Sequence, residues 1–274
     1  MPDNISDIQA FYDKTLEQEN SRLERHQLER DITWRYLDKY LPSRGKILEI
    51  GAATGAYTVP LARRGYTITA VDFSPKLMEV CKKRVAEEGF EKKVTCLVAD
   101  ARDLTNIEKT DYDAVLLMGP LYHLVLEEDR KMALNEAFKR LKPVGMIFYT
   151  FISRYGIWGD VMKKVPQMIE AQADVQSVIR RGRDSDNPSP EISFRAYFAK
   201  VSEIDNLHKT VGFKKLVLAG VEPAGTGADE AYNSLEGQRR KLWLDLLFSI
   251  STEKSIIGAS THLLYVGLKE GRGN

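Results

Sequence analysis

Along residues 46–152, short apolar runs alternate with longer segments whose apolar residues recur at helical spacing. The runs near 46–51, 67–71, 93–98, 112–118 and 145–152 are short and continuously hydrophobic, as strands buried on both faces are. Strand and helix alternating in this way predict an α/β fold, a doubly wound and mostly parallel sheet. The helix before the fifth strand is well marked. Glu127, Glu128 and Asp129 suit its N-terminal dipole, Leu134, Ala137, Phe138 and Leu141 form the buried stripe, and Arg140, Lys142, Pro143 and Gly145 close it.

The flanks follow the same logic. Residues 5–41 read as two helices, with Ile8, Phe11, Tyr12 and Leu16 on one apolar face and Leu28, Ile32, Tyr36, Leu37 and Tyr40 on the other, before Pro42. Beyond the fifth strand, residues 155–183 read as a helical insertion ending in the polar loop 184–190. A helix over 202–211, a sixth strand over 212–220, a second helical insertion over 229–252 and a last strand over 261–268 follow. The chain divides into an N-terminal helical lid (1–42), a ligand-binding core (43–153), a helical cap (154–200) and the rest of the sheet (201–274), all in one domain.

The first strand, turn and second strand define the ligand. Gly51 and Gly55 let the backbone turn tightly and approach a bound molecule. Asp72, at the carboxyl end of the second strand, suits a carboxylate that accepts hydrogen bonds from both ribose hydroxyls. A dinucleotide fingerprint counted from Gly51 needs glycine at positions occupied by Ala53 and Ala56, and no Gly-Lys-Ser/Thr triphosphate loop is present. Glu49 beside the turn favours a cationic ligand and repels a pyrophosphate. S-adenosylmethionine fits, with a ribose, an ammonium, a sulfonium and no phosphate.

From here the chain resembles the class I S-adenosylmethionine-dependent methyltransferases. Glu-Ile-Gly-Ala-Ala-Thr-Gly at 49–55 is similar to their first motif and Val-Asp-Phe-Ser at 71–74 to the second. The segments 98–104, 113–120 and 141–146 resemble the third, the fourth and the approach to the fifth strand. One departure is Ala53, where many members have glycine. The resemblance implies a seven-stranded sheet whose last strand inserts antiparallel beside the sixth. It implies S-adenosyl-L-methionine as cofactor and S-adenosyl-L-homocysteine as product. The cofactor-binding residues it implies are Tyr12, Glu49, Gly51, Ala52, Gly55, Asp72, Phe73, Asp100, Ala101, Met118 and Gly119, with Asp100 at the adenine amino group and Tyr12 folding over from the lid. Asp103 competes with Asp100, and core packing with the role of Tyr12.

Composition narrows the partners. With 40 basic and 39 acidic residues among 274, the chain lacks the broad positive field expected of a nucleic-acid binder. The cluster Arg180, Arg181 and Arg183 reads as a solvated loop. Cys81 and Cys96 have no metal-ligand spacing and read as small core residues, so no metal is expected. No apolar run matches a membrane span and no signal sequence is visible, which makes a cytoplasmic protein with a small-molecule methyl acceptor the expectation.

Methyl transfer from a sulfonium needs alignment and exclusion of water more than acid or base machinery. His123, in the loop leaving the fourth strand, is the candidate base, with Tyr122 beside it. Burial or capping is the competing role for His123, and packing for Tyr122. Similarity to a prokaryotic, type 11-like branch of small-molecule methyltransferases implies that Arg154, Tyr197 and His262 face the acceptor, while a structural role competes at His262. Two other functions compete with methyl transfer: a nicotinamide-dependent oxidoreductase, and a non-catalytic S-adenosylmethionine sensor or partner subunit.

Overall fold

A computed structural model describes residues 2–108, 110–186, 195–223 and 228–270. The strands are β1 (Lys46–Ile50), β2 (Thr67–Asp72), β3 (Val94–Val98), β4 (Tyr112–Leu117), β5 (Leu141–Ser153), β6 (Phe198–Ala199), β7 (Phe213–Gly220) and β8 (His262–Lys269). Their order is β3-β2-β1-β4-β5-β8-β7, with β8 antiparallel to both β5 and β7 and the first five strands parallel. The mostly parallel α/β sheet and the antiparallel last strand match the expectation. The two-residue β6, which pairs with the end of β5, adds an eighth strand to the seven expected.

The helices are α1 (Ser6–Lys14), α2 (Leu16–Asn20), α3 (Arg22–Arg25), α4 (Gln27–Tyr40), α5 (Thr58–Arg63), α6 (Pro75–Glu87), α7 (Pro120–His123), α8 (Glu127–Arg140), α9 (Ile157–Lys164), α10 (Gln172–Arg181), α11 (Val201–Val211), α12 (Asp229–Asn233), α13 (Gly237–Ile250) and α14 (Lys254–Ile257), with a 3₁₀ turn over Pro166–Glu170. Residues 5–41 therefore form four helices where the apolar pattern predicts two. The breaks fall at Thr15 and Ser21, whose hydroxyls bond back to the carbonyls of Phe11 and Glu17, and at His26, which leaves helical dihedrals. Helix α8 stops at Arg140, and Lys142, Pro143 and Gly145 belong to β5; Val144, at φ +63°, marks the irregular start of that strand. Of the polar loop at 184–190, residues 187–190 lie outside the described residues.

The alternation of side chains along β1 explains how the sheet is covered. Leu48 and Ile50 join a core with Val115, Leu117, Leu134 and Tyr265 under α8 and α11. Ile47 faces the other core, with Leu28, Ile32, Leu37, Leu61 and Leu116 under α4 and α5. Glu49 points to this second side and is buried there. No helix among the described residues is long and apolar enough to cross a membrane.

Candidate functional site

A cleft lies at the carboxyl ends of β1, β2 and β4, as parallel sheets of this kind predict. Its first chamber, about 640 Å³, is lined by Ile5, Ile8 and Tyr12 from the N-terminal segment, Gly51 and Ala53 from the first turn, Asp72, Phe73, Asp100 and Ala101 at and beyond the ends of β2 and β3, and Met118, Gly119, Pro120, Tyr122 and His123 beyond β4. A second chamber of about 610 Å³ is bounded by Arg22, Glu29, Glu49, Tyr57, Thr150 and His262. Both chambers share Glu19, Gly51, Ala53, Met118 and Tyr122 as walls.

The turn after β1 is pinned to β2, because the N–H groups of Gly51 and Ala52 both donate to the Val71 carbonyl at 2.8 and 2.9 Å. Gly51 sits at φ +81°, and a Cβ there would fall 2.5 Å from Pro120 Cδ and 3.0 Å from the Met118 carbonyl oxygen. Glycine at 51 thus lets the β1 and β4 loops close on each other. Gly55, at φ +84°, closes the turn by donating to Ala52, and it lines neither chamber. Ala53 adopts φ +46°, a left-handed conformation that glycine takes more readily, so the departure at this position has a backbone cost.

Asp72 is 5% exposed. One carboxylate oxygen accepts from the Ala53 N–H and the other from Ser74 N–H, each at 3.0 Å, which leaves a lone pair on each for a diol. Burial pushes its carboxyl up to about 6, although those N–H groups favour the charge. Burial pushes Glu49 further, to about 8, against a 2.6 Å hydrogen bond from Thr58 that favours the carboxylate. A buried, readily protonated carboxyl next to the cleft regains its charge when a cation arrives. Asp100 lines the first chamber beside Ala101, and Arg102 grips both of its oxygens. Asp103 instead accepts from the Thr105 N–H and lines neither chamber.

His123 is buried in the wall of the first chamber. Its Nδ1 faces the Arg195 carbonyl at 3.4 Å, so the proton sits there and Nε2 accepts from the Tyr12 hydroxyl at 2.6 Å. Burial pulls the imidazole down to about 4, so it is neutral across the physiological range. In the second chamber, Arg22 holds Glu29 in a two-pronged bond of 2.9 and 2.8 Å, and His262 Nδ1 lies 2.9 Å from Glu222. Burial disfavours the imidazolium of His262, but Glu29 and Glu222 outweigh it and raise the pKa. Ligand-type atoms of Glu29, Glu222 and His262 lie within 4.8 Å of one another, but each already neutralises a neighbour.

Two expectations about the acceptor fail on geometry. Arg154 is 2% exposed, clamps Glu203 at 2.9 and 2.7 Å and lines neither chamber of the cleft. Tyr197 donates to the same Glu203 and faces a different cavity, between α8 and α11. The β6 pairing draws the segment around Tyr197 to the end of β5, away from β1. His262 does line the second chamber. Sequence reasoning missed Glu19, Arg22 and Glu29, which lie in charged helical segments with no motif, and Glu222, just past β7; Arg22, Glu29, Glu222 and His262 meet only where α3 and α4 come against the end of β7 and the start of β8.

Residues 47–145 match a family described as "Methyltransferase domain". The chain is 29% identical over 120 residues to a ubiquinone biosynthesis O-methyltransferase of Xylella fastidiosa (strain 9a5c), covering 43% of this chain and 47% of the relative. It is 33% identical over 116 residues to a carboxy-S-adenosyl-L-methionine synthase of Shewanella loihica, covering 41% and 46%. The chain spans about half the length of the curated relatives it matches. The fold as a whole is similar to the crystal structure of a SAM-dependent methyltransferase from Methanosarcina mazei, with a TM-score of 0.58, 15% identity, and coverage of 86% of this chain and 97% of that one. Matched family, sheet order and the turn built around Gly51 and Asp72 assign residues 47–145 to the class I S-adenosylmethionine-dependent methyltransferases.

Proposed function

We propose that the protein transfers a methyl group from S-adenosylmethionine to an oxygen, nitrogen or sulfur of a small molecule, releasing S-adenosylhomocysteine. The observation that carries this reading is the junction of the two chambers at Gly51, Ala53, Met118 and Tyr122. Adenosine belongs in the first chamber beside Asp72, so the sulfonium belongs at the junction, the amino-acid tail of the cofactor beside Glu49 in the second chamber, and the acceptor on the Thr150 and His262 side of that chamber. Transfer needs the nucleophile in line with the S–methyl bond, and the walls that exclude water supply most of the rate. Tyr122 at the junction is suited to align the acceptor. A proton lost by the acceptor reaches His123 by way of Tyr12, whose hydroxyl already occupies Nε2. His262, which favours its protonated form, is suited to donate a hydrogen bond to the acceptor.

The test is methyl transfer from isotope-labelled S-adenosylmethionine to fractionated cell extract, with heat-treated protein as the blank. Label in a small organic product supports the proposal, and His123→Ala should then lower turnover by about 10²–10⁴-fold with little change in S-adenosylhomocysteine affinity if His123 takes the proton. Tight cofactor binding with no label transferred to any fraction would favour a binder that does not methylate.

A further inference from the structure

A third cavity, of about 640 Å³, lies between α8 and α11, behind the loop that walls the cofactor cleft. Its floor is Arg130, which is 4% exposed. The guanidinium carbon lies over the Tyr197 ring, 3.5 Å from the centroid, and one nitrogen donates to the Leu124 carbonyl at 2.5 Å. Among the described residues no carboxylate lies within ion-pair distance of it. The two acids at the cavity are bound elsewhere: Glu203 by Arg154, Tyr197 and the Lys200 N–H, and Glu127 by Lys131 at the rim. A buried guanidinium without a counter-charge is costly, and burial pulls the Arg130 pKa down despite the acids nearby.

We propose that this cavity binds a small carboxylate with an apolar body, the carboxylate paired with the free edge of the Arg130 guanidinium. The planar fork of an arginine matches two carboxylate oxygens, and stacking on Tyr197 fixes its orientation before the ligand arrives. Phe151, Ile204 and Leu207 supply apolar walls for the rest of the molecule, and Asn206 and Thr210 stand at the exposed mouth. The site is separate from the cofactor cleft, with which it shares no lining residue. It is nonetheless one layer away, since the Arg130 bond to Leu124 and the 2.6 Å bond from Tyr197 N–H to the Tyr122 carbonyl both end on the loop that bounds that cleft.

The experiment is isothermal titration of the full chain, saturated with S-adenosylhomocysteine, against 4-bromobenzoate, with 4-bromobenzamide as the uncharged control. A bromine anomalous map from soaked crystals locates the probe. One site per chain, bromine in the cavity, and an affinity that falls roughly 10- to 100-fold for the amide and for Arg130→Gln are expected from the loss of a charge-assisted pair. Asn206→Trp, on the exposed face of α11, blocks the mouth without touching Arg130 and should also abolish binding, which covers the case of Arg130→Gln failing to fold. Equal binding of the amide, bromine lodged elsewhere, absence of heat, or wild-type affinity in a folded variant would each overturn the proposal. None of these readouts involves methyl transfer, so the result stands apart from the catalytic reading.

Discussion

The two chambers of the cleft differ in how they are made. The first chamber sets side chains of the N-terminal segment, Ile5, Ile8 and Tyr12, against strand ends: a glycine that admits Pro120 and a carboxylate at the tip of β2. The second chamber has the β1 turn, from Gly51 to Tyr57, as one wall, and its other walls are side chains from α2–α4, β5 and β8, joined by ion pairs such as Arg22–Glu29 and His262–Glu222. The first has little freedom to change without losing the fold of the turn. The side-chain walls of the second can exchange charges and shapes while the sheet stays the same, as a site carried on a fixed fold allows.

The largest effect should come from the most constrained point. Gly51→Ala forces a left-handed alanine and pushes its Cβ to 2.5 Å from Pro120. Strain and overpacking together cost roughly 2–4 kcal/mol. Thermal unfolding should show that loss, and S-adenosylhomocysteine binding should fall about 100-fold as the β4 loop is displaced. A variant with wild-type melting and affinity would mean that the turn is softer than its contacts imply. Asp72→Ala should come next, removing charge-assisted bonds to the ribose worth roughly 1.5–3 kcal/mol while the protein stays folded. Unchanged calorimetric affinity would move the adenosine site away from β2.

This contrast also sets what could be read from the residues alone. Gly51 and Asp72 occupy fixed distances from strand ends, so spacing places them at the cleft, and the alternation of hydrophobic runs with helical segments gives the parallel α/β class, while the antiparallel last strand comes from the family resemblance alone. Ala53 stood out as a departure, and its φ of +46° gives the departure a physical meaning. The acceptor side was not legible, because Arg22 and Glu29 become neighbours of His262 only when α4 packs over β1 and β8 closes the sheet. Arg154 and Tyr197 were misread for the same reason: the two-residue β6, invisible as a pattern, carries Tyr197 to the Arg154–Glu203 pair and the α8–α11 cavity.

A pH titration sharpens the division between the chambers. Glu49, at about 8 when the cleft is empty, must release its proton to pair with the ammonium of S-adenosylhomocysteine. Affinity should therefore rise with pH from 6 toward 8, by at most about tenfold per unit, and level off above. 5′-Methylthioadenosine has no ammonium and tests only the adenosine side, where the Asp72 carboxyl at about 6 confines any dependence to lower pH. The unliganded protein should show the opposite sign in stability. A carboxyl raised in the folded state binds more protons there than in the unfolded chain, so stability falls as pH rises from 4.5 to about 8. Parallel affinity profiles for the two ligands between pH 6 and 8 would remove Glu49 from the ammonium site.

The smallest effect tests whether the adenosine chamber is as rigid as its hydrogen bonds suggest. Ala53 holds φ +46° and donates its N–H to Asp72 at 3.0 Å, so Ala53→Gly relaxes the backbone without removing that bond. Relief of the left-handed conformation outweighs the added freedom of the unfolded chain, for a net gain of roughly 0.5–1 kcal/mol. The melting temperature should rise by a degree or more, about what such a gain gives in a chain of this size. S-adenosylhomocysteine affinity should stay within about twofold, because Asp72 keeps its donor. If instead the variant bound the cofactor many times more weakly, the methyl group of Ala53 would be a packing contact in the wall shared by both chambers, and the turn would act there through its side chain as well as its backbone.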